Sequence, residues 1–129
     1  MEKLRILYID DEEINLRMFK STFRRDFFIL IACSAKEGLS ILEKEPVDIL
    51  ITDQRMPEMT GVELLRVIAG RFPSVRPVRL IISGYIADQD IEEAFKKYKL
   101  FRFVSKPWEE SFLKAIISEA SKLLISSHE

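Results

Sequence analysis

Five short apolar runs, each followed by a stretch with helical spacing, constrain this chain more than any other feature. The runs are Leu4–Ile9, Phe27–Ala32, Val47–Thr52, Val78–Ser83 and Phe101–Ser105. They are mostly continuous rather than alternating, the pattern of strands buried on both faces of a parallel sheet. After the first run, Leu16, Phe19 and Phe23 recur at helical spacing, and Ala35, Leu39 and Leu42 do so after the second. Val62, Leu65 and Ala69 continue the pattern, Ile91, Ala94, Phe95 and Tyr98 form a full stripe, and Phe112, Ile116, Ala120 and Leu123 share one side of a last helix. Ser34-Ala35-Lys36-Glu37 and Thr60-Gly61-Val62-Glu63 read as capping boxes that start two of these helices. The alternation predicts a doubly wound α/β fold of five parallel strands and five helices, because right-handed crossovers place helices on both faces.

Ligands of such folds bind outside the carboxyl ends of the strands, near the point where the winding reverses. The first strand ends in Asp10-Asp11, followed by Glu12 and Glu13, the third in Asp53, the fourth in Ser83-Gly84 and the fifth in Lys106-Pro107. Only the second, ending at Cys33-Ser34, offers nothing ionic. With the strand order 2-1-3-4-5, these groups converge on one edge. Asp10, Asp11 and Asp53 would repel one another there unless a positive charge intervened. Carboxylate oxygens suit Mg²⁺, which keeps several of its waters. Lys106 offers a cation and Ser83 a hydroxyl donor for a phosphoryl group, and a carboxylate beside a metal can act as a nucleophile. Each residue alone has a simpler role. First-turn acids favour a helix dipole, an Asp often closes a turn, and a lone Lys is most often solvated. The agreement of four strand ends outweighs these separate explanations.

Other classes are excluded by composition. At 129 residues the chain is read as one domain, 1–129. Twenty basic against 21 acidic residues, a net charge of −1, leave no footprint for direct nucleic-acid binding. Cys33 is the single cysteine, as suits a reducing cytosol. No apolar run approaches the ~20 residues of a membrane helix, and Met1-Glu2-Lys3-Leu4-Arg5 lacks a signal-peptide core. A cytoplasmic protein without membrane contact is expected. The lone His128 lies in a polar tail, a poor place for a phosphohistidine.

Four segments carry a resemblance: Ile6-Leu7-Tyr8-Ile9-Asp10-Asp11-Glu12, Asp53-Gln54-Arg55-Met56-Pro57-Glu58-Met59-Thr60-Gly61, Ile81-Ile82-Ser83-Gly84-Tyr85 and Phe101-Arg102-Phe103-Val104-Ser105-Lys106-Pro107-Trp108. In this order and spacing they resemble the receiver domains of bacterial two-component response regulators, over essentially the whole chain. The resemblance implies a flavodoxin-like fold of sheet order 2-1-3-4-5. It implies that Asp53 accepts a phosphoryl group from a sensor histidine kinase or phosphotransfer protein. Asp11, Asp53 and the backbone carbonyl of Arg55 would ligate Mg²⁺, and Asp10 would hold a metal-bound water. Lys106 would contact the phosphoryl group, Ser83 and Phe103 would form the switch pair, and the Lys106–Pro107 bond would be cis. The face made by helix four, strand five and helix five would control an output domain or partner protein, with homodimerisation near Phe101 and Phe112 as one form of output. The only chemistry implied is self-catalysed phosphotransfer and autodephosphorylation, so the chain is not read as an enzyme.

The Asp-Gln-Arg-Met-Pro, Ser-Gly-Tyr and Lys-Pro-Trp variants look like receivers attached to cyclic-dinucleotide phosphodiesterase, transcription-activating ATPase or kinase modules. Two departures stand out: Lys97-Tyr98-Lys99-Leu100 where many receivers have Gly-Ala, and Phe103 where some have Tyr. Three rival readings fit the residues less well. A haloacid-dehalogenase-like phosphatase needs a second Asp two residues after the nucleophile, where Arg55 stands. A flavodoxin-like cofactor binder needs a Ser/Thr/Gly-rich loop where Asp10-Asp11-Glu12-Glu13 would repel phosphate. A phosphorylation-independent module of the same fold would be signalled by loss of an acid or of Lys106, and all are present.

Overall fold

A computed structural model describes residues 3–72 and 76–126, with side chains through Leu124; Met1, Glu2 and His128 lie outside them. Strands β1 (Arg5–Ile9), β2 (Phe28–Ala32), β3 (Ile49–Thr52), β4 (Val78–Ser83) and β5 (Leu100–Ser105) alternate with helices α1 (Glu13–Phe23), α2 (Ala35–Lys44), α3 (Gly61–Arg71), α4 (Asp88–Lys97) and α5 (Glu110–Ser126). All neighbouring strands pair in parallel, in the order β2-β1-β3-β4-β5. The anticipated order is therefore observed, with β1 and β3 adjacent near the centre.

Period-two alternation divides the core into two layers. Ile6, Tyr8, Ile49, Ile51, Leu80 and Ile82 point toward α1 and α5, while Leu7, Ile9, Leu50 and Ile81 point toward α2, α3 and α4. Phe19 and Phe23 of α1 are fully buried in the first layer. Truncating such a ring to Ala costs about 3–5 kcal/mol.

In β5 the alternation breaks. Arg79 of β4 faces Leu100, but Leu80 faces Arg102, so one extra residue enters β5. A bulge of this kind re-aims the side chains beyond it. Phe101 accordingly packs on the α1/α5 layer and Phe103 on the opposite one. The turn before this strand keeps a left-handed conformation at Lys99, φ 59°, the backbone that glycine adopts most easily after a helix.

Three details differ from the sequence reading. Thr60 and Glu63 form a full capping box, but Ser34 and Glu37 form half of one. Ser34 Oγ accepts from the Glu37 N–H, while the Glu37 carboxylate accepts from the backbone N–H and thiol of Cys33 instead. The buried face of α5 runs through Leu113, Ile116, Ile117, Ala120 and Leu124, leaving Phe112 58% and Leu123 40% exposed. In α4 only Ala94 is fully buried, and Phe95 faces solvent.

Candidate functional site

The site forms where β1, β3, β4 and β5 end on the same edge of the sheet. Oxygens of Asp10, Asp11 and Asp53 lie within 4.8 Å of one another. Asp10 and Asp53 are buried, whereas Asp11 is exposed. Lys106, carried in by the end of β5, bridges the two buried acids: its Nζ donates to Asp53 Oδ2 at 2.7 Å and to Asp10 Oδ2 at 3.1 Å. Burial works against the ammonium charge, but hydrogen bonds to Asp53 and Asp10 and their negative charge outweigh it. Lys106 is held protonated above the usual lysine range. Three carboxylates against one ammonium leave the cluster net negative, a donor set of hard oxygens that fits a divalent cation such as Mg²⁺.

Asp53 is anchored from below. Its Oδ1 accepts the backbone N–H groups of Gln54 (2.6 Å) and Arg55 (3.3 Å). Its carbonyl accepts the Thr52 hydroxyl. Gln54, buried at 8% exposure, then ties the loop to α3: its Oε1 accepts the Val62 N–H and its carbonyl accepts the Gly61 N–H. Gly61 is needed here for space, because a Cβ would sit 2.5 Å from the Asp53 carbonyl oxygen.

Asp10 is held as firmly. Its Oδ1 accepts the Glu12 N–H, and its Oδ2 accepts Tyr8 OH (2.8 Å) and Asn15 Nδ2 (3.1 Å) besides Lys106. Burial, followed by the charge of Asp10 and the hydrogen bond to it, drives the Tyr8 hydroxyl far above its ordinary pKa, so it remains a donor.

Ser83 lies buried at the end of β4 with its hydroxyl donating to the Tyr85 carbonyl at 3.2 Å. Phe103 is half-buried. The Arg55 guanidinium stands 6.0 Å from the Tyr85 ring centroid, and the Lys106–Pro107 bond is cis. The three acids and Lys106 are thus brought together, while Ser83 and Phe103 occupy adjacent strands beside them, Ile81 and Ser83 facing Phe103 and Ser105. Sequence reasoning did not single out Tyr8, Asn15 or Gln54 as site residues.

A family model for the response regulator receiver domain matches residues 6–118. The chain belongs to the response-regulator receiver family. This receiver is 35% identical over 103 residues to the hydrogenase transcriptional regulatory protein HoxA of Cupriavidus necator, covering 80% of this chain and 21% of that protein. It is 34% identical over 118 residues to the protein of the same name from Bradyrhizobium diazoefficiens, covering 92% and 24%. The receiver therefore spans about a quarter of the length of the curated relatives it matches. Among solved structures it is similar to the signal receiver domain of an HD domain-containing protein from Pseudomonas fluorescens. That pair has a TM-score of 0.89 and 25% identity, with 97% of this chain and 99% of the other covered. A receiver domain from Clostridium thermocellum is 32% identical with a TM-score of 0.80, covering 94% and 98%. The family places this receiver in two-component signalling.

Proposed function

We propose that this receiver takes a phosphoryl group onto Asp53 from the phosphohistidine of a sensor histidine kinase or phosphotransfer protein, with Mg²⁺ bound by the neighbouring acids. The observation that carries the reading is Lys106 bridging buried Asp10 and Asp53, with Asp11 beside them. Asp11, Asp53 and the Arg55 carbonyl would hold the ion, and Asp10 a water on it. When bound, Mg²⁺ would offset the negative charge that a phosphoryl group brings to this pocket. Asp53 would attack phosphorus, forming an acyl-phosphate O–P bond as the N–P bond to the donor imidazole breaks; the freed imidazole takes a proton from solvent. The backbone donors on Oδ1 orient Asp53, and Lys106 is poised to leave Asp53 for a phosphoryl oxygen. Apart from its own phosphorylation and dephosphorylation, the domain is read as regulatory rather than enzymatic.

The output would be read on α4, β5 and α5, with Ser83 and Phe103 as the switch pair. Transcriptional regulators among the relatives support an output domain or partner acting on transcription. Among the described residues no helix is long and apolar enough to cross a membrane, and a cytoplasmic site of action is the natural one for this chemistry. The test is mass spectrometry after incubation with acetyl phosphate and Mg²⁺. One phosphoryl mass should appear on the wild type and none on Asp53→Asn; equal labelling of both would overturn the assignment.

A further inference from the structure

Four donors converge on the fully buried Asp10, and two of them have no part in the chemistry above. The Glu12 N–H and Lys106 belong to the local turn and to the phosphoryl pocket. Tyr8 and Asn15 both meet Oδ2. Neither side chain carries a formal charge.

We propose that Tyr8 and Asn15 are positioning residues, clamping the Asp10 carboxylate in the orientation the divalent cation needs. The inference rests on the reading of Asp10, Asp11 and Asp53 as a cation site. Its origin lies in the sequence. Tyr8 precedes Asp10 by two residues, so both point to the same face of the sheet. That face is covered by α1, whose first turn supplies Asn15.

The Tyr8 ring has little freedom. It stacks on Phe19 with centroids 4.4 Å apart and planes at 24°, and Phe19 in turn packs on Phe23 and Trp108. The hydroxyl is therefore delivered to Oδ2 by a rigid aromatic cluster rather than by a mobile side chain, as a preorganised site requires. The chemistry of the donors matters as much. Lys106 also holds Asp10, but its positive charge competes with a cation, and it must serve the phosphoryl group as well. Tyr8 and Asn15 fix the carboxylate while leaving its full negative charge available. When Lys106 turns away, three donors still hold Asp10.

Tyr8→Phe keeps the ring stack and deletes only the hydroxyl; Asn15→Ala deletes the amide at a helical position that alanine favours. Partners of a direct metal ligand typically matter by 10–100-fold in affinity, and because Asp10 would act through a water the effect here belongs at the low end of that range. Mg²⁺ affinity, followed by Trp108 fluorescence and by calorimetry well below the melting temperature, should fall about tenfold in Tyr8→Phe and severalfold in Asn15→Ala. In an Asp10→Asn background, Tyr8→Phe should change the affinity less than about twofold, because residues that act through one another are not additive. A merely structural hydroxyl would lower the melting temperature in both backgrounds and leave Mg²⁺ affinity alone. Unchanged affinity in both single variants, or a full additive loss in the double variant, would overturn the inference. A wild type that binds no Mg²⁺ would instead overturn the site reading beneath it.

Discussion

Lys106 Nζ lies 2.7 Å from Asp53 Oδ2, joining residues 53 positions apart at the end of two strands that are not neighbours in the sheet. Without a cation, this ammonium is the positive charge that offsets the buried acids. Removing one partner of a buried pair costs about 3–5 kcal/mol. The Lys106 side chain is 23% exposed, so we expect about 2 kcal/mol for Lys106→Met after allowance for solvent. Millimolar Mg²⁺ should restore part of the loss, since a ligand that binds only the folded state stabilises it. Asp11→Ala should act in the opposite sense, raising the melting temperature in EDTA and weakening Mg²⁺ binding. Melting each variant with EDTA and with Mg²⁺ checks both; a cation-independent Lys106→Met defect would contradict the charge argument.

Gly61 tests the backbone side of the site. An added methyl would meet the Asp53 carbonyl oxygen and Gln54 Cα, neither of which can move without the loop that carries Asp53. Gly61→Ala should therefore destabilise by about 1–3 kcal/mol and weaken Mg²⁺ binding together. Gly70, in the same helix, has open space around its Cβ position. Gly70→Ala should stabilise by about 0.5–1 kcal/mol and leave Mg²⁺ binding unchanged. Urea midpoints and Mg²⁺ titrations on the pair decide it.

Each of the five strands was legible within a residue or two: β1, β3 and β4 are buried on both faces and announce themselves as continuous apolar runs, and the edge strands β2 and β5, though partly exposed, keep apolar residues on both faces. The converging acids were legible because four of those runs end in reactive groups. The buried face of α5 was not. Phe112, Leu113, Ile116, Ile117, Leu123 and Leu124 make the segment apolar on more than one side, so two stripes fit the spacing and only packing against the sheet selects Leu113 and Ile117. The bulge in β5 was equally hidden, because it is a property of pairing with β4 rather than of the strand itself. Tyr8 could have been found: its place two residues before Asp10 was in view, but within an apolar run its hydroxyl reads as incidental to a core ring.

A pH dependence follows from the α3 capping box. The Thr60 backbone N–H donates to the Glu63 carboxylate, while the Thr60 hydroxyl accepts the Glu63 N–H; hydrogen bonding from Thr60 to the carboxylate, its backbone N–H first, holds the Glu63 carboxyl below its ordinary value of 4.5. A carboxyl with a lowered folded pKa stabilises above its unfolded value and loses that contribution as pH falls through the folded one. Glu63→Gln keeps an acceptor and removes the charge. The variant should melt below the wild type at neutral pH, and the gap should close in the window beneath about pH 4.5. A gap that persists unchanged to the acid end of the titration would show that charge is not its cause.

The proposed switch would be the furthest consequence of this geometry. The Ser83 hydroxyl now donates to the Tyr85 carbonyl and so restrains the loop leading into α4. To reach a phosphoryl oxygen on Asp53 it must release that carbonyl, and the loop then loses a tether. Phe103, turned to the α4 side by the bulge in β5 and only half-buried there, can follow into the space that opens. Such a change would bias the face between two arrangements rather than create a new one, and a coupling of about 1–3 kcal/mol is expected. Beryllofluoride, an acyl-phosphate mimic, should shift amide resonances from Ile91 to Ile116 as well as around Asp53. Ser83→Ala should keep the shifts near Asp53 and lose most of those from α4 to α5. If wild-type shifts stay within the acidic pocket, the Ser83–Phe103 coupling is absent.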